Sequence, residues 1–377
     1  MREYRLGEIF NLQMGKTPSR NNLSYWGSKD NQWISIADLS KSGKYIEETK
    51  EYLSDRAVEE SGISVIPANT VVMSFKLSIG KTAITPKSMY SNEAIMAFCD
   101  KKVTELLPDY IYYMFLRRKW ESGTNKAVMG NTLNKSTLSN IKVKIHKIDK
   151  QREIVKILDC ASQIIDDREK QLHELDALVK ARFVEMFGSP VSNPKKWQVE
   201  AMNDVAPIVN YAGSLGDDVW LLNLDMVEAQ TGEIIEYLIV SKEMVGNSTC
   251  TFDTTNVLYS KLRPYLNKVV IPDRCGYATS ELLPLKPLPT KLNREYLTFL
   301  LRTDDFVKLI SAKVTGAKMP RVSMKDFKNF DVPIPPLSLQ NEFATFVSQV
   351  DKSKVAVQKA LDEAQTLFDS LMQEYFG

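Results

Sequence analysis

Apolar residues recur at alternating spacings of four and three positions along two segments, one near the middle of the chain and one at its end. This is the heptad pattern of helices that pair through a narrow apolar seam. The seam residues are Ile154, Leu158, Ala161, Ile165, Leu172, Leu175, Val179 and Met186 in the first segment, and Phe343, Val347, Val350, Val357, Leu361, Ala364, Phe368, Leu371 and Tyr375 in the second. The pattern predicts two helices of roughly 33 residues, each about 50 Å long. We expect them to pair antiparallel as a stiff rod with a globular domain at each end.

Each seam contains one charged residue, Arg168 in the first and Lys354 in the second. Such a residue either fixes the register of the two helices or extends its charge to solvent, and the sequence favours neither. The second helix is expected to begin immediately after Pro333, Pro335 and Pro336, because a helix interior does not accommodate proline. The alternative to pairing is that each helix packs only on its own domain.

Short β-type runs, punctuated by Gly, Pro, Asn and Ser, precede each helix. They are NTVVMSF (69–75), KTAIT (81–85), NVLYS (256–260) and KVVI (268–271). Each of these front segments also has a helix-like stretch with an aromatic stripe, PDYIYYMFLRRK (108–119) or NREYLTFLLRT (293–303). The aromatic residues that we expect in the cores are Trp33, Tyr110, Tyr113, Tyr296 and Phe299.

The chain repeats itself with an offset of 189 residues: IKVKIHKIDKQREIVKIL (141–158) aligns without a gap with FDVPIPPLSLQNEFATFV (330–347). The alignment ends on the same dipeptide, Phe-Gly at 187–188 and 376–377. A repeat of this length predicts two copies of a whole unit. We therefore expect an α+β fold with an internal pseudo-two-fold repeat, divided into a first front (1–148), a first helix (149–188), a second front (189–337) and a second helix (338–377).

The charge is distributed unevenly along a chain of net charge +2. Residues 1–150 contain 23 Lys and Arg against 16 Asp and Glu, whereas residues 338–377 contain 3 against 6. A basic first front permits nucleic-acid binding, although an ordinary solvated surface explains it equally well. The four cysteines have no CxxC spacing, and no apolar run is long enough to span a membrane, so we expect a cytoplasmic protein with reduced thiols.

The motifs of common enzyme sites are incomplete in this sequence. The tripeptide GKT (80–82) matches the end of a P-loop, but Phe75 stands where the first glycine is needed. The tetrapeptide NPKK (193–196) departs from the NPPY-like motif of adenine methyltransferases, and His146 and His173 lie in no catalytic arrangement. These observations favour a recognition or scaffold protein over a self-sufficient methyltransferase or nuclease.

The order of front, helix, front and helix, together with three motifs, resembles the specificity subunits of Type I restriction-modification enzymes. The motifs are LGEIFNLQMGKTPS (6–19), WISIADL (33–39) and PIPPLSLQNEF (333–343), the last similar to the proline-rich start of the family's second helix. The first repeat, KIHKIDKQREI (144–154), lacks the paired prolines but keeps Gln151, and the second front has NYAGSLGDD (210–218) near the place of GKTP.

The resemblance implies a non-catalytic subunit whose two fronts each bind one half of a bipartite double-stranded DNA target. It implies that the helices set the spacing of the halves, which suits half-sites about one DNA turn, or about 34 Å, apart. It also implies docking of two modification subunits that methylate adenine, and association with restriction subunits. The methyl donor, ATP and Mg²⁺ are then expected on those partners, with no cofactor or metal in this chain. The alternative is a stand-alone DNA-binding or coiled-coil scaffold protein.

Base edges and phosphates are contacted mainly by Arg, Lys, Asn, Gln, Ser and Thr, which indicates candidate DNA-binding residues. They are Lys16, Thr17, Ser19, Arg20, Lys76, Lys81 and the segment Gly130-Asn131-Thr132 in the first front, and Lys261, Arg263, Tyr265, Lys268, Lys318 and Arg321 in the second. The aligned pair Gln151 and Gln340 is expected either to support the helix starts or to contact another subunit.

Overall fold

The computed structural model describes residues 1–76, 78–120, 125–127, 130–316 and 318–377, with the backbone alone described at 125–127 and 130–132. Its residues form two compact units. The first unit comprises Met1–Asp167 and Ala360–Gly377, and the second comprises Arg168–Lys359. Each unit therefore contains one front, the first half of the helix that follows it and the second half of the other helix.

The first half of the chain forms the following helices and strands. They are β1 (Arg2–Arg5), α1 (Leu6–Ile9), β2 (Phe10–Met14), β3 (Trp26–Ile34), α2 (Ile36–Lys41), β4 (Glu51–Leu53), α3 (Asp55–Ser61), β5 (Thr70–Ser74), β6 (Thr82–Thr85), β7 (Tyr90–Ser91), β8 (Ile95–Asp100), α4 (Pro108–Arg117), β9 (Asn125–Ala127), β10 (Gly130–Thr132), α5 (Lys135–Asn140), β11 (Lys142–Ile145) and α6 (Ile148–Phe187).

The second half follows a similar order. Its elements are β12 (Val199–Ala201), α7 (Met202–Val205), β13 (Asp218–Leu222), β14 (Leu238–Ser241), β15 (Thr249–Phe252), β16 (Val257–Ser260), β17 (Val269–Val270), β18 (Gly276–Thr279), β19 (Leu282–Leu285), α8 (Arg294–Arg302), α9 (Asp304–Ser311), β20 (Val314–Thr315), β21 (Arg321–Val322), α10 (Met324–Lys328), β22 (Asp331–Pro333) and α11 (Leu337–Phe376).

The sheets of the two fronts share a common plan, which confirms the predicted α+β repeat. The antiparallel order β8-β5-β6 of the first front corresponds to β19-β16-β17 of the second. In the first front this sheet has a fourth strand, β2, beside β8. Each front also has a second sheet with a shared arrangement. In the first front β3 pairs antiparallel with β4 and parallel with β7, and in the second β13 pairs antiparallel with β14 and parallel with β18. The strand before each long helix pairs with the first strand of its front, as β1-β11 and β12-β22.

The aromatic residues expected in the cores pack there. Trp33, Tyr110, Tyr113 and Tyr296 are buried, and Phe299 is partly buried against the core of the second unit. In that core Tyr296 stacks on Phe183 of α6, with ring centroids 5.6 Å apart. Each front is therefore continuous with its helices through a shared apolar core.

Both long helices exceed the predicted length: α6 and α11 have 40 residues each, which corresponds to about 60 Å. The prediction of roughly 33 residues was wrong because it counted between apolar seam positions, whereas each helix begins six residues before its first seam residue and ends one residue after its last. The predicted start of α11 is confirmed, since the helix begins at Leu337, directly after Pro336.

The seam residues are buried or partly buried along both helices, so the heptad pattern correctly identified the packed faces. In the second unit the helices run antiparallel, because Asp176 pairs with Lys354 and Arg182 pairs with Glu342 further along α6. Lys354 thus bonds across the seam, whereas Arg168 donates to Gln171 on its own helix over 2.7 Å. The helices also pack on the fronts, so pairing and packing on the domains occur together.

Candidate nucleic-acid interface

Each long helix has a fully buried glutamine in its first turn, Gln151 in α6 and Gln340 in α11. The Gln151 side chain accepts a hydrogen bond from the backbone N–H of Leu107 at 2.9 Å and donates to the carbonyls of Glu105 and His146, both at 2.9 Å. These bonds satisfy the side chain within its own unit. The structure therefore places Gln151 at the junction of front and helix, with no surface to offer to another subunit.

Gln340 makes the equivalent set of bonds in the second unit. It accepts from the backbone N–H of Asn293 at 2.8 Å and donates to the carbonyls of Lys291 and Pro335 at 2.9 Å and 2.8 Å. Like Gln151, it has no exposed surface. Of the two roles that the sequence left open, support of the helix start is the one that this geometry provides.

The candidate loop of the first front is held by two tryptophans of β3. The indole N–H of Trp33 donates to the Lys16 carbonyl, and that of Trp26 donates to the Ser19 carbonyl, each at 3.1 Å. The Lys16 ammonium donates to the Ser61 carbonyl at 2.5 Å, and Ser19 is exposed. The backbone of this loop is thus fixed while its polar side chains lie at the surface.

Glu93, which the sequence did not indicate, brings three of the candidates together. Its carboxylate accepts a hydrogen bond from the Thr17 hydroxyl. That bond lowers the pKa of Glu93, and the nearby charges of Lys76 and Arg20 lower it further, against the effect of partial burial. The loop 16–20 and Lys76 therefore form one polar cluster beside the start of β8.

Lys81 and Asn131 are the two other candidates of the first front. The Lys81 ammonium donates to the Ser40 hydroxyl of α2 at 2.6 Å. Asn131, flanked by Gly130 and Thr132, lies in β10, and its side chain is outside the described part of the structure.

The second front brings Lys261, Arg263 and Arg321 together through backbone pairing. The Arg263 N–H donates to the Pro320 carbonyl at 2.8 Å, and the Val322 N–H donates to the Lys261 carbonyl at 2.9 Å. Arg263 and Tyr265 are exposed, and Arg263 has a left-handed backbone with φ of 48°. The candidate segments around 261–265 and 318–321 therefore form one surface, on which Lys318 is also exposed.

The repeat relates this surface to the first front. The Leu133 N–H donates to the Phe75 carbonyl at 3.1 Å, just as the Val322 N–H donates to that of Lys261. The hairpins β9–β10 and β20–β21 are thus equivalent, and each lies beside the end of a central strand, β5 or β16. The candidates at 130–132 and at 318–321 fall on equivalent hairpins of the two fronts.

Two of the second front's cations are engaged in contacts within their own domain. The Arg321 guanidinium pairs with Glu281, with its Nη2 atom 2.9 Å from Oε1. The Lys268 ammonium donates to the Leu224 carbonyl at 2.6 Å, and partial burial lowers its pKa. Arg321 keeps an exposed side chain, whereas Lys268 is positioned to hold its own domain together.

The sequence did not indicate a further exposed arginine, Arg274, which lies over the Tyr237 ring with 4.6 Å between Cζ and the ring centroid. It pairs with its neighbour Asp273, whose pKa the hydrogen bonds from Arg274 lower. No basic or motif-like neighbours mark this residue in the sequence. Only its aromatic support, which comes from the segment just before β14, distinguishes it from an ordinary surface cation.

The described residues include no group of three His, Cys, Asp or Glu side chains arranged to hold a metal ion. Within the same part of the chain, no helix combines the length and the apolar character needed to cross a membrane.

Known proteins resemble the whole chain. The specificity subunit of the Type I restriction enzyme MjaIX from Methanocaldococcus jannaschii is 20% identical over 400 residues, an alignment that covers 98% of this chain and 90% of that protein. A chain solved in work on complex assembly and conformational transition of the type I R-M system superposes with a TM-score of 0.63 at 15% identity, covering 100% of this chain and 97% of that one. The S subunit of a Type-I restriction-modification system from M. genitalium gives a TM-score of 0.56 at 12% identity, with coverages of 100% and 96%. Likeness at such low identities shows a shared fold.

The family model described as the Type I restriction modification DNA specificity domain matches this chain twice, at residues 1–176 and 194–364. Each match contains one front and most of the helix that follows it. The two matches correspond to the repeat found in the sequence and in the strand pairing. The chain therefore belongs to the family of Type I restriction-modification DNA specificity domains, and it contains two of them.

Proposed function

We propose that each front reads one half of a split double-stranded DNA target, and that the paired helices set the distance between the halves and dock two modification subunits. A Type I specificity subunit is the non-catalytic, DNA-targeting component of a restriction-modification complex. The observation that carries the proposal is the duplication of the whole unit, with each front anchored to a 40-residue helix through an equivalent buried glutamine.

The two fronts share a fold, but their candidate DNA-binding surfaces are built from different residues, which supports two different half-sites. The loop 16–20 with Lys76 forms the polar cluster of the first front, whereas segments 261–265 and 318–321 form that of the second. Base recognition depends on individual side chains in such loops. We infer that the two fronts select different sequences.

The helices are long enough to act as a spacer. Forty residues correspond to about 60 Å, and half-sites on one side of B-DNA recur about every 34 Å. A pair of helices that is packed on both fronts would resist changes in this distance, because altering it would disrupt the shared cores. We therefore expect a fixed number of base pairs between the two halves of the target.

Exposed apolar side chains on the helices support the docking of partner subunits. They include Ile164, Leu178, Val355 and Leu367, which are 41%, 48%, 72% and 54% exposed. Apolar residues on the outer faces of a helical pair are typical of surfaces that are covered in a complex. In this proposal, the methyl donor binds to the modification subunits, while ATP and Mg²⁺ serve the restriction subunits.

The test is co-expression of this chain with the modification subunit of its restriction-modification system, followed by mapping of methylated adenines across the host genome. The proposal predicts a split motif with a fixed gap and an adenine methylated in each half, and loss of that motif when this chain is deleted. A motif that persists after the deletion, or a continuous motif without a gap, would contradict it.

A further inference from the structure

Each front holds one exposed arginine over aromatic rings and against a carboxylate, Arg20 in the first and Arg274 in the second. We propose that these two arginines each read a guanine in the half-site of their own front, with Glu51 and Asp273 as positioning residues. This inference rests on the proposed function and specifies the bases that the two fronts recognise.

Two tryptophan rings and one carboxylate hold the guanidinium of Arg20. Its Cζ atom lies 3.8 Å from the ring centroid of Trp26 and 4.9 Å from that of Trp33. Its two terminal nitrogens pair with the two carboxylate oxygens of Glu51, the first residue of β4, and Nη2 to Oε2 is 3.0 Å. The plane of the guanidinium is therefore set before any ligand arrives.

The loop that carries Arg20 is itself held by the same rings. The indole N–H groups of Trp26 and Trp33 bind the carbonyls of Ser19 and Lys16, and the two rings contact each other edge to face with centroids 5.1 Å apart. Trp33 is buried. A surface arginine ordinarily loses rotamer freedom when it binds a ligand. Here the side chain is already held in one conformation, so most of that entropy cost does not arise on binding.

Arg274 has the same two kinds of partner, an aromatic ring and a carboxylate, supplied by different residues. Its Cζ atom lies 4.6 Å from the ring centroid of Tyr237, which stacks on Trp220 at 5.2 Å. Its Nε and Nη2 atoms are 3.1 Å and 3.0 Å from the carboxylate oxygens of Asp273, which also accepts from the Tyr237 hydroxyl at 3.2 Å. The carboxylate is thus fixed by the ring that supports the arginine.

The two arrangements occur on equivalent strand pairs. Trp26 and Trp33 lie on β3 and Glu51 on β4, whereas Trp220 lies on β13 and Tyr237 directly precedes β14. The arginines come from different connections, one before β3 and the other before β18. Aromatic residues at equivalent strands therefore support an arginine in both fronts, although the two arginines lie at unrelated positions in the sequence. This recurrence indicates a shared use and distinguishes these residues from incidental surface ion pairs.

The free edge of each guanidinium suits guanine. In each arginine the carboxylate occupies one pair of N–H groups, and the described residues supply no acceptor for the adjacent pair. The side chains of Arg20 and Arg274 are 49% and 51% exposed. A planar fork of two N–H groups matches O6 and N7 of guanine in the major groove, and an ammonium cannot reproduce that match.

The experiment maps methylated sites in cells that co-express the whole chain and its modification subunits. The variants are Arg20→Lys, Arg274→Lys, Glu51→Gln and Asp273→Asn. The matched control is Arg56→Lys, because Arg56 pairs with Glu60 at 2.7 Å and its side chain is 62% exposed. Discrimination is measured at each motif position as the methylated fraction of matching sites over that of sites with one substituted base.

Arg20→Lys should lower discrimination about tenfold to a hundredfold at one guanine of one half-site and leave the other half unchanged. Arg274→Lys should do the same in the opposite half. Glu51→Gln and Asp273→Asn should relax the same two positions to a smaller extent, while Arg56→Lys should change nothing. If a lysine variant fails to fold, the carboxylate variant of the same pair tests the assignment in its place.

An unchanged motif in the lysine variants would overturn this inference. An equal loss of methylation at all sites would also overturn it, because that outcome indicates phosphate contact without base recognition. The wild-type chain separates this failure from that of the proposed function. A split motif in the wild type with no relaxation in the variants rejects only the arginine assignment. Absence of any split motif in the wild type rejects the proposed function itself.

Discussion

Gln151 and Gln340 make the same three hydrogen bonds in their respective units, each to one backbone N–H and two carbonyls of its own front. One carbonyl in each set belongs to the segment just before the helix, His146 or Pro335. The glutamine therefore ties together the front, the lead-in segment and the first turn of the helix. A rigid junction of this kind is what a spacer needs if it is to hold a front in a fixed orientation.

Replacing either glutamine with alanine should destabilise its unit. Gln151→Ala removes three hydrogen bonds in a site without solvent access and leaves backbone groups unpaired, which should lower the free energy of unfolding by about 3 kcal/mol. Urea unfolding measures the difference. Gln163→Ala is the control, because Gln163 is exposed on the same helix and bonds only to Asp167 in the described structure, so it should change the stability by less than about 0.5 kcal/mol. Equal effects of the two substitutions would contradict the role of Gln151.

The junction of the first front with α6 should weaken in acid. Lys44 pairs with Asp109 and with Asp159 of α6 at 2.6 Å each, and the Tyr45 hydroxyl donates to Asp109 at 2.6 Å. Burial raises the pKa of Asp109, but the hydrogen bonds from Lys44 and Tyr45 and the charge of Lys44 outweigh it, so the pKa lies below its usual value.

Because this pKa is lower in the folded protein than in the unfolded chain, the stabilisation is complete above the unfolded value and is lost as pH falls through the folded value. Unfolding by urea between pH 6 and pH 3 should therefore show a constant advantage of the wild type over Asp109→Asn near neutral pH. That advantage should shrink below about pH 4. A difference that does not depend on pH would show that the charge of Asp109 does not contribute.

The salt dependence of DNA binding should separate lysines that contact phosphate from those that hold the domain. If Lys261 neutralises a phosphate, Lys261→Ala should reduce the slope of log K against log salt concentration by about 0.9. Lys268→Ala should leave the slope unchanged and reduce stability instead, since its ammonium is bonded to the Leu224 carbonyl. The complex with modification subunits is titrated on its mapped target at several salt concentrations, and Lys170→Ala on the outer face of α6 is the control. Equal slopes for the Lys261 variant and the wild type would remove Lys261 from the interface.

The sequence predicted the elements that depend on local periodicity. The runs at 69–75 and 256–260 contain β5 and β16, and the aromatic stripes became α4 and α8, because alternation and heptad spacing are properties of neighbouring residues. The lengths of the long helices were underestimated because the six residues before the first seam residue of each helix lie outside the heptad pattern.

The partners of the surface cations could not be predicted from the sequence. Arg20 meets Glu51, and Arg321 meets Glu281, across sequence separations of 31 and 40 residues that only the strand pairing brings together. Glu93 and Arg274 escaped notice for the same reason, since their neighbours in space are distant in sequence. The candidate DNA-binding residues remain predictions, and the structure divides them into those that are free to contact a ligand and those that also support their own domain.

In the proposed function, each front independently reads its own half of a split target. This independence is tested most directly by replacing residues 190–336 with a second copy of residues 1–147, which keeps both long helices and places an identical front before each, and by mapping methylated adenines in cells that co-express the modification subunit. We predict a split motif in which both halves have the sequence that the first front reads in the wild type. A motif that keeps the wild-type second half, or that is no longer split, would contradict it.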